Sequence, residues 1–240
     1  LRKKVFVYLR RNGYEEDKCY SRYFGPAIYH IMFTLASWTS NLIACRSHIL
    51  KGKKGIVVSP SQLNEKWFAD RKSPNLKNTK LLYIGRIKIE KGVFSLLKIV
   101  KEIKSNFSIT ILNPEKFYNK ELESNKVKII HFRQEHENMI KTYDEHNIFI
   151  LPSYTEGHPQ VLDESLSRLR PVIIFPEISH VKRNREGIFI AERNSESLSN
   201  KIEYIMNNYE AIQKKMLNNK LPTKITFLKE ITKIIDQNKF

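Results

Sequence analysis

Short apolar runs recur at regular intervals through the last two thirds of the chain. Six runs of strand length are separated mostly by segments of helical period. They are LLYIG (81–85), FSITIL (107–112), VKII (127–130), IFILP (148–152), PVIIF (171–175) and IFIA (188–191). Such alternation is typical of parallel strands joined by crossover helices. The pattern predicts an α/β fold with a doubly wound, Rossmann-like parallel sheet over residues 76–200.

Helical periodicity places the helices between and after these strands. They are predicted at about 91–104, 134–146, 159–168, 195–208 and 223–237, with a lysine-rich connection between the last two. The common strand order for such a sheet is 3-2-1-4-5-6, which makes the first and fourth strands neighbours. Ligands then bind in the crevice beyond the carboxyl ends of these two strands.

The first 75 residues contain too few elements for a complete second sheet. Strands are predicted at KVFVYLR (4–10), NLIAC (41–45) and GIVVSP (55–60). Residues 23–45 contain no charged side chain and are long enough to span a bilayer, but many polar residues interrupt the run. We therefore predict a buried helix at about 27–38 followed by a short strand. The expected organisation is a partial α/β domain over 1–75, the main domain over 76–200, and helices over 201–240 that cross back toward the N-terminal part.

The charge balance indicates an anionic partner without naming it. The chain has 42 Lys and Arg against 25 Asp and Glu, a net charge of +17. Residues 1–75 are the most basic part, with 14 basic and 5 acidic side chains. Such a field attracts phosphates, anionic lipid or nucleic acid, although a solvated basic surface that only maintains solubility has the same composition. The two cysteines, Cys19 and Cys45, are too few for a disulfide framework and indicate a reducing, cytosolic setting.

Candidate chemistry follows the first and fourth strands of the predicted sheet. The first strand is followed by GRIKIEKG (85–92), which carries Arg86, Lys88 and Lys91 toward a helix N-terminus. The fourth is followed by SYTEGHPQ (153–160), with Pro159 suited to the first helical position. Cations and helix N-termini that converge on one crevice are suited to a diphosphate, whereas alone Arg86 and Lys91 would be ordinary solvated charges.

Two glutamates flank the start of the helix after the fourth strand. Glu156 and Glu164 are eight positions apart, which corresponds to roughly 10 Å or more along a helix. This separation does not suit the paired carboxylates of a glycosidase, which lie about 5 to 10 Å apart across one bond. The two side chains are better placed to contact the two ends of one long ligand, unless they are simply helix-surface glutamates.

Together these segments resemble a known enzyme family. GRIKIEKG, LPSYTEGHPQVLDESL (151–166) and RPVI (170–173) are similar to the C-terminal half of GT-B retaining glycosyltransferases of family 4, the glycosyl transferases group 1 type. The resemblance covers about residues 85–192 and extends more weakly to GIVVSPSQLNEKWF (55–68). It implies transfer of a sugar from a nucleotide-sugar donor, with retention and without a metal or other cofactor.

The resemblance also implies roles for individual residues. Arg86 and Lys91 would stabilise the leaving diphosphate. Glu156 would bind the hydroxyl groups of the donor sugar, and Glu164 the ribose. The other donor-binding residues that it implies are Gly85, Gly157, His158, Pro159, Gln160, Val161 and Leu162, with Phe132 and Arg133 near the nucleobase. His158 is interpreted as a contributor of shape and backbone rather than as an acid or base.

This sequence departs from the family pattern in several places. ILNPEKF (111–117) stands where the family has a glycine-rich turn, and PEISHV (176–181) where it has a pair of glycines. Most of the domain that binds the acceptor in this family has no counterpart in these 240 residues. We therefore expect poor sugar transfer by this chain alone.

The expected function is a glycosyltransferase of bacterial surface polysaccharide, lipopolysaccharide or glycoconjugate biosynthesis. Its expected partners are a nucleotide-sugar, a UDP-sugar ahead of a GDP-sugar, and a glycan or lipid-linked acceptor. A cytoplasmic location with peripheral contact to an anionic membrane is expected, and nucleic acid is not an expected partner. The alternative is a nonenzymatic basic protein, a truncated or degenerate relative that binds nucleotide, polysaccharide or nucleic acid through charge.

Overall fold

The computed structural model describes residues 4–10, 12–18, 21, 24–115, 122, 124–132 and 136–237. The chain divides by its internal contacts into two compact units. The first unit comprises Leu1–Asn64, Thr155–Gln160 and Pro222–Phe240, and the second comprises Glu65–Tyr154 and Val161–Leu221.

The second unit contains a parallel sheet of six strands. Its strands are β4 (Lys80–Ile84), β5 (Ser108–Asn113), β6 (Val127–His131), β7 (Ile148–Leu151), β8 (Val172–Ile174) and β9 (Ile188–Ile190). They lie in the order β6-β5-β4-β7-β8-β9, and every pair is parallel. In chain order this is 3-2-1-4-5-6, which confirms the predicted doubly wound sheet and makes β4 and β7 neighbours.

Helices accompany these strands, and all but the last of them were predicted from the periodicity. They are α3 (Val93–Glu102), α4 (His136–Asp144), α5 (Gln160–Ser167), α6 (Ser195–Asn207) and α7 (Tyr209–Met216). All four residues of β7 and all three of β8 are buried, which explains why their sequences are continuously apolar rather than alternating.

The first unit contains a smaller parallel sheet in the order β1-β2-β3. Its strands are β1 (Phe6–Leu9), β2 (Asn41–Ala44) and β3 (Gly55–Val57), and its helices are α1 (Gly13–Lys18), α2 (Phe24–Thr39) and α8 (Lys224–Gln237). Successive residues of β2 point to opposite faces of the sheet. Leu42 and Ala44 pack with Tyr29 and Phe33 of α2. On the other face, Ile43 packs with Ile234 of α8.

The prediction of a buried helix near residues 27–38 is wrong for one side of α2. Tyr29 and Phe33 are buried, but six large apolar side chains on the helix are exposed. The apolar composition suggested burial on all sides, whereas only one face of α2 packs on the sheet. No helix in the described ranges is long and apolar enough to cross a membrane.

The predicted lysine-rich connection after residue 208 is also wrong, because it contains α7. Its buried residues Tyr209, Ile212 and Met216 are spaced three and four positions apart and form a helical stripe. The Tyr209 hydroxyl also donates a hydrogen bond of 2.6 Å to the carbonyl oxygen of Asn147. These contacts explain why the segment up to Leu221 belongs to the second unit rather than crossing back.

The boundary between the units lies earlier than the sequence-based one at residue 75. Residues 65–72 belong to the second unit because two buried arginines bind their carbonyl groups. Arg168 donates to the carbonyl oxygens of residues 67, 69 and 70, and Arg170 donates to that of residue 72. Both guanidinium groups also approach the buried carboxylate of Asp144.

Candidate functional site

The turn after β4 positions two predicted cationic residues. The chain leaves β4 through Gly85 and Arg86, forms a short 3-10 turn over Ile89–Lys91, and enters α3 after Gly92. The Tyr83 hydroxyl donates to the carbonyl oxygen of Arg86 at 2.9 Å, which fixes the exit from the strand. Arg86 and Lys91 therefore lie on one ordered turn at the carboxyl edge of the sheet.

The loop after β7 is joined to this turn. The backbone N–H of Tyr154 donates to the carbonyl oxygen of Glu90 at 2.9 Å. The Glu90 carboxylate is buried and lies 3.9 Å from the guanidinium of Arg86, whose side chain is 41% exposed. The backbone of Arg86 is fixed by the hydrogen bond from Tyr83, whereas much of its side chain is exposed to solvent.

Gly92 allows the turn and the β7 loop to approach each other closely. Its φ angle is +65°, in the left-handed region that favours glycine. A Cβ atom at this position would overlap the carbonyl oxygen of Pro152. Since that oxygen is a backbone atom, neither loop can accommodate a side chain here without moving.

We expect Gly92→Ala to destabilise the second unit by about 2 kcal/mol or more, from left-handed strain and the backbone overlap. Gly187→Ala is the matched control in the same unit. Gly187 also has a positive φ, of +82°, but a Cβ there would meet only the Met216 side chain, which is flexible. Urea unfolding of both variants measures the difference, and equal losses would contradict a special role for the contact between Gly92 and Pro152.

Arg193 connects the loops that follow β7 and β8. Its guanidinium lies 4.2 Å from the ring centroid of Tyr154 and 4.3 Å from that of Phe175. It donates to the carbonyl oxygen of Pro152 at 3.0 Å and to both carboxylate oxygens of Glu177, at 2.8 and 3.0 Å. Burial alone would raise the pKa of Glu177, but the hydrogen bonds and charge of Arg193 outweigh burial and lower it.

Glu177 of this ion pair lies in PEISHV (176–181), where the family pattern has two glycines. The sequence indicated only that PEISHV lacks those glycines. The partner follows Glu177 by 16 positions, across β9, and no local spacing indicates it. In this chain an ion pair, whose arginine packs on one aromatic ring from each loop, holds the β7 and β8 loops together.

Glu164 lies inside α5, and its carboxylate is buried. The side chain is 6% exposed, and its Oε2 accepts a hydrogen bond of 2.9 Å from the Tyr143 hydroxyl. Burial raises the pKa of Glu164 to about 7, and the charge of Asp163 adds to this rise, while the hydrogen bond from Tyr143 opposes it. Asp163 itself is ion-paired with Arg185. Glu164 can therefore change its protonation state near neutral pH.

Residues 155–160 belong to the first unit and lie close to the ends of β1 and β2. The Gly157 carbonyl oxygen accepts a hydrogen bond of 3.0 Å from Nε of Arg46. A Cβ atom on Gly157 would lie 2.5 Å from the carbonyl oxygen of Arg10 and 3.2 Å from Sγ of Cys45. Glycine is therefore required by the close approach of the backbone of residue 10.

Gln160 ties the same loop to the segment after β3. Its Nε2 donates to the carbonyl oxygen of Pro60 at 2.8 Å, and its Oε1 accepts from the backbone N–H of Gln62 at 3.2 Å. Both ends of the amide are thus engaged within the first unit. Sequence reasoning interpreted Gln160 only as a donor ligand and did not anticipate this role.

The predicted site residues are divided between the two units. The second unit holds Gly85, Arg86, Lys91, Phe132, Val161, Leu162 and Glu164, all after the carboxyl ends of β4, β6 and β7. The first unit holds Glu156, Gly157, His158, Pro159 and Gln160. Phe132 is half-buried, and its backbone N–H donates to the carbonyl oxygen of Asn113. Arg133 lies outside the described residues.

A family model agrees closely with the second unit. The model of glycosyl transferases group 1 matches residues 64–221, well over half of the chain. The chain belongs to this family. It is therefore a glycosyltransferase, and the matched region begins and ends within one residue of the second unit.

Solved structures of other glycosyltransferases share the fold. The sucrose-phosphate synthase of Thermosynechococcus elongatus has a TM-score of 0.76 at 15% identity, with 99% of this chain and 68% of that chain covered. HepE of Anabaena, solved with UDP-glucose, has a TM-score of 0.78 at 15% identity, with coverage of 98% and 73%. WaaG, a glycosyltransferase involved in lipopolysaccharide biosynthesis, has a TM-score of 0.70 at 14% identity, with coverage of 98% and 78%. These similarities show the GT-B fold, while a search of curated protein sequences found no match.

Proposed function

We propose that this glycosyltransferase uses a nucleotide-sugar donor, with a UDP-sugar as the first candidate, and transfers the sugar with retention. The observation that carries the proposal is the ordered turn with Arg86 and Lys91 at the end of β4, next to the strand that leads to buried Glu164. HepE, which has the same fold, was solved with UDP-glucose, and this supports a uridine nucleotide.

Arg86 and Lys91 are proposed to bind the diphosphate of the donor. When the bond between the anomeric carbon and the diphosphate breaks, the electron pair stays on the leaving phosphate. Two cations on a fixed turn stabilise this charge without reorganising, which is the role that a metal ion has in other transferases. We propose that this chain requires no metal or other cofactor for transfer.

The two glutamates are proposed to recognise different parts of the donor. Glu164 is suited to accept hydrogen bonds from the ribose hydroxyls when its carboxylate is ionised. Glu156 is proposed to bind the hydroxyls of the transferred sugar. Phe132 and Arg133, after β6, are proposed to lie near the base, and the backbone of Gly85 and of residues 157–162 near the phosphates and sugar.

The acceptor is proposed to be a glycan or a lipid-linked glycan of bacterial surface polysaccharide, lipopolysaccharide or glycoconjugate biosynthesis. WaaG, a protein of the same fold, is involved in lipopolysaccharide biosynthesis. A cytoplasmic enzyme in peripheral contact with an anionic membrane would meet such an acceptor, and the net charge of +17 favours this contact.

Calorimetry with UDP and UDP-sugars on single variants tests these assignments. Glu164→Ala should weaken UDP binding by about 1 to 3 kcal/mol, because a charged acceptor is lost. Glu156→Ala should leave UDP affinity nearly unchanged and weaken only the UDP-sugar. Arg86→Ala and Lys91→Ala should weaken both ligands, since both contain the diphosphate. Lys141→Ala, which removes an exposed cation of α4, is the charge-matched control.

Equal and negligible effects of the four site variants would contradict the proposed site. Salt dependence then identifies the alternative. Binding of nucleotide in a preformed crevice should survive moderate salt, whereas binding through net charge alone should fall steeply with salt and should respond to Lys141→Ala as much as to Arg86→Ala.

A further inference from the structure

A polar cleft in the second unit lies on the face of the six-stranded sheet that α4 partly covers. Its volume is about 660 Å³, which is within the range of small-molecule pockets. Residues of β4, β5, β6 and α4 and of the segment before β4 line this cleft, here named the lysine cleft. Its lining includes Lys72, Lys80, Lys128 and Lys141, with the hydroxyl groups of Ser108 and Thr110.

Strand β5 has one apolar face and one polar face. Ile109 and Ile111 are buried on one side, whereas Ser108 is exposed and Thr110 half-buried on the other, because successive residues point to opposite faces. Strands of parallel sheets are usually apolar on both faces, since helices cover both. The polar face of β5 departs from this rule, and a floor of hydroxyl groups is suited to a hydrophilic ligand.

Two lysines flank these hydroxyl groups. Lys80 of β4 is in register with Ser108, and Lys128 of β6 is in register with Thr110. In-register neighbours of parallel strands point to the same face, so the two lysines stand on either side of β5, with Cα atoms about 12 Å apart. Both side chains are exposed, and both are long enough to reach an anionic group that lies over β5 between them.

The acidic residues of the cleft do not cancel its positive charge. Glu145 pairs with Lys141 at 3.8 Å, and the carboxylate of Asp144 is bound by two buried arginines. The other lysines of the lining have no ion pair with any described residue, and they are Lys72, Lys80 and Lys128. An excess of lysine ammonium groups in a cleft favours a phosphorylated ligand.

Two buried side chains fix the rim of the cleft. Arg170, which is 1% exposed, donates to the carbonyl oxygen of Lys72 at 2.8 Å. Asn147, which is 2% exposed, donates to the carbonyl oxygen of Asn75 at 2.9 Å and accepts from the backbone N–H of Lys80 at 2.6 Å. The backbone of the rim is therefore preorganised, which reduces the entropic cost of binding.

A buried histidine determines how the Thr110 hydroxyl can bind a ligand. Nδ1 of His146 lies 2.7 Å from the carbonyl oxygen of Thr142, and Nε2 lies 2.9 Å from Oγ1 of Thr110. Burial lowers the pKa of His146, so the ring is neutral at pH 7. Because a carbonyl only accepts, Nδ1 carries the proton and the Thr110 hydroxyl donates to Nε2. The Thr110 oxygen can then accept from a ligand hydroxyl, whereas an ionised phosphate has no proton to donate to it.

The lining favours a sugar over a nucleobase. None of the described residues that line the cleft is Phe, Tyr or Trp. Nucleotides and single-stranded nucleic acids usually stack their bases on aromatic side chains. A ligand with hydroxyl groups and a phosphate matches both the acceptor on Thr110 and the flanking lysines.

We propose that the lysine cleft binds a small phosphorylated sugar, with its phosphate between Lys80 and Lys128 and one sugar hydroxyl donating to Thr110. Lys80 and Ser108 are the first residues of β4 and β5, whereas the proposed donor site follows the carboxyl ends of β4 and β7. The inference goes beyond the proposed function and does not rest on it, so either can fail while the other holds.

Calorimetry with glucose 6-phosphate, mannose 6-phosphate and fructose 1,6-bisphosphate measures the binding, and glucose and inorganic phosphate each test one half of the ligand. The cleft variant is Lys80→Gln with Lys128→Gln. The matched control, Lys101→Gln with Lys104→Gln, removes the same charge from exposed positions in α3 and just after it. Helix α3 lies on the other face, because right-handed crossovers that run in opposite directions along a sheet cover opposite faces. Arg86→Ala reports any binding at the donor site, and circular dichroism checks that each variant is folded.

At least one sugar phosphate should bind the wild type, and glucose and inorganic phosphate should each bind at least about tenfold more weakly. The cleft variant should lose at least about tenfold in affinity for that sugar phosphate, and the α3 control and Arg86→Ala less than about threefold. In NMR spectra the largest changes of amide shifts should fall in residues 108–112 and 128–130.

No binding of the three sugar phosphates up to about 10 mM, or equal affinity of the cleft variant and the wild type, would overturn the proposal. Inorganic phosphate that binds as tightly as the sugar phosphates would also overturn it, because the cleft would then hold an adventitious ion only. A single-stranded oligonucleotide that binds where the sugar phosphates do not would assign the cleft to nucleic acid instead.

Discussion

Glu164→Gln is expected to make the protein more stable above pH 7 and to bind nucleotide more weakly. Burial raises the pKa of Glu164 from 4.5 to about 7 in the folded protein. Below about pH 4.5 the carboxyl is protonated in both the folded and the unfolded state and contributes no difference. Between pH 4.5 and 7 the carboxyl is ionised in the unfolded chain but still protonated in the folded protein. The free energy of unfolding therefore falls as pH rises.

Above pH 7 this loss is complete and amounts to about 3 kcal/mol, because each tenfold change in the proton-binding constant corresponds to about 1.4 kcal/mol. Gln has the same shape, can accept the hydrogen bond from Tyr143, and cannot ionise. The free energy of unfolding of Glu164→Gln should therefore exceed that of the wild type by up to about 3 kcal/mol at pH 8 and equal it near pH 4. Urea unfolding from pH 4 to 8 measures the difference, and Glu145→Gln, which alters an exposed carboxylate directly after α4, is the control.

The same titration should appear in ligand binding. If the ionised carboxylate accepts the ribose hydroxyls, wild-type affinity for UDP should fall as pH drops below 7, by up to about tenfold for each further decrease of one in pH. Glu164→Gln should bind UDP weakly at every pH and without this dependence. A pH-independent stability difference would contradict the raised pKa. A wild-type UDP affinity that rises toward low pH would contradict the role of the ionised form.

Arg168→Ala is expected to cause the largest loss of stability, about 3 to 5 kcal/mol, because it leaves a buried carboxylate without its main partner. The guanidinium is 1% exposed and donates to both oxygens of Asp144, at 2.9 and 2.8 Å. It also satisfies three backbone carbonyl groups in residues 67–70. After the substitution, Arg170 would remain 3.6 Å from Asp144 as its nearest cation.

Arg168→Lys should give an intermediate loss, since a single ammonium group cannot reproduce the planar, branched set of donors. Lys141→Ala, which breaks an exposed ion pair of 3.8 Å with Glu145, should change stability by less than about 1 kcal/mol. Hydrogen exchange should show the first loss of protection in residues 65–72, which Arg168 and Arg170 hold. An effect of Arg168→Ala no larger than that of Lys141→Ala would show that the buried network does not stabilise the unit.

Local patterns in the sequence were sufficient to predict the strand order of the main sheet. Strand and helix periods depend on residues a few positions apart, and chirality leaves few topologies for alternating strands and helices. The order of β4 to β9 and the positions of the two loops at the β4 and β7 ends therefore followed from the sequence. The short buried stripe of α7 lies among exposed lysines, so the segment was predicted as a connection rather than as a helix.

Contacts between distant residues were decided only by the tertiary structure. Arg46 and Gly157 are 111 positions apart, and Arg168 and Trp67 are 101 apart, so no spacing rule connects them. The same is true of the burial of Glu164 and its hydrogen bond from Tyr143, 21 positions away, and of the exposed face of α2, which depends on what the helix packs against. By itself the sequence determined the periodicity of the elements, the strand order and the residue types available for donor chemistry. The structure decided their protonation, pairing and exposure, because these depend on neighbours that only the folded chain brings together.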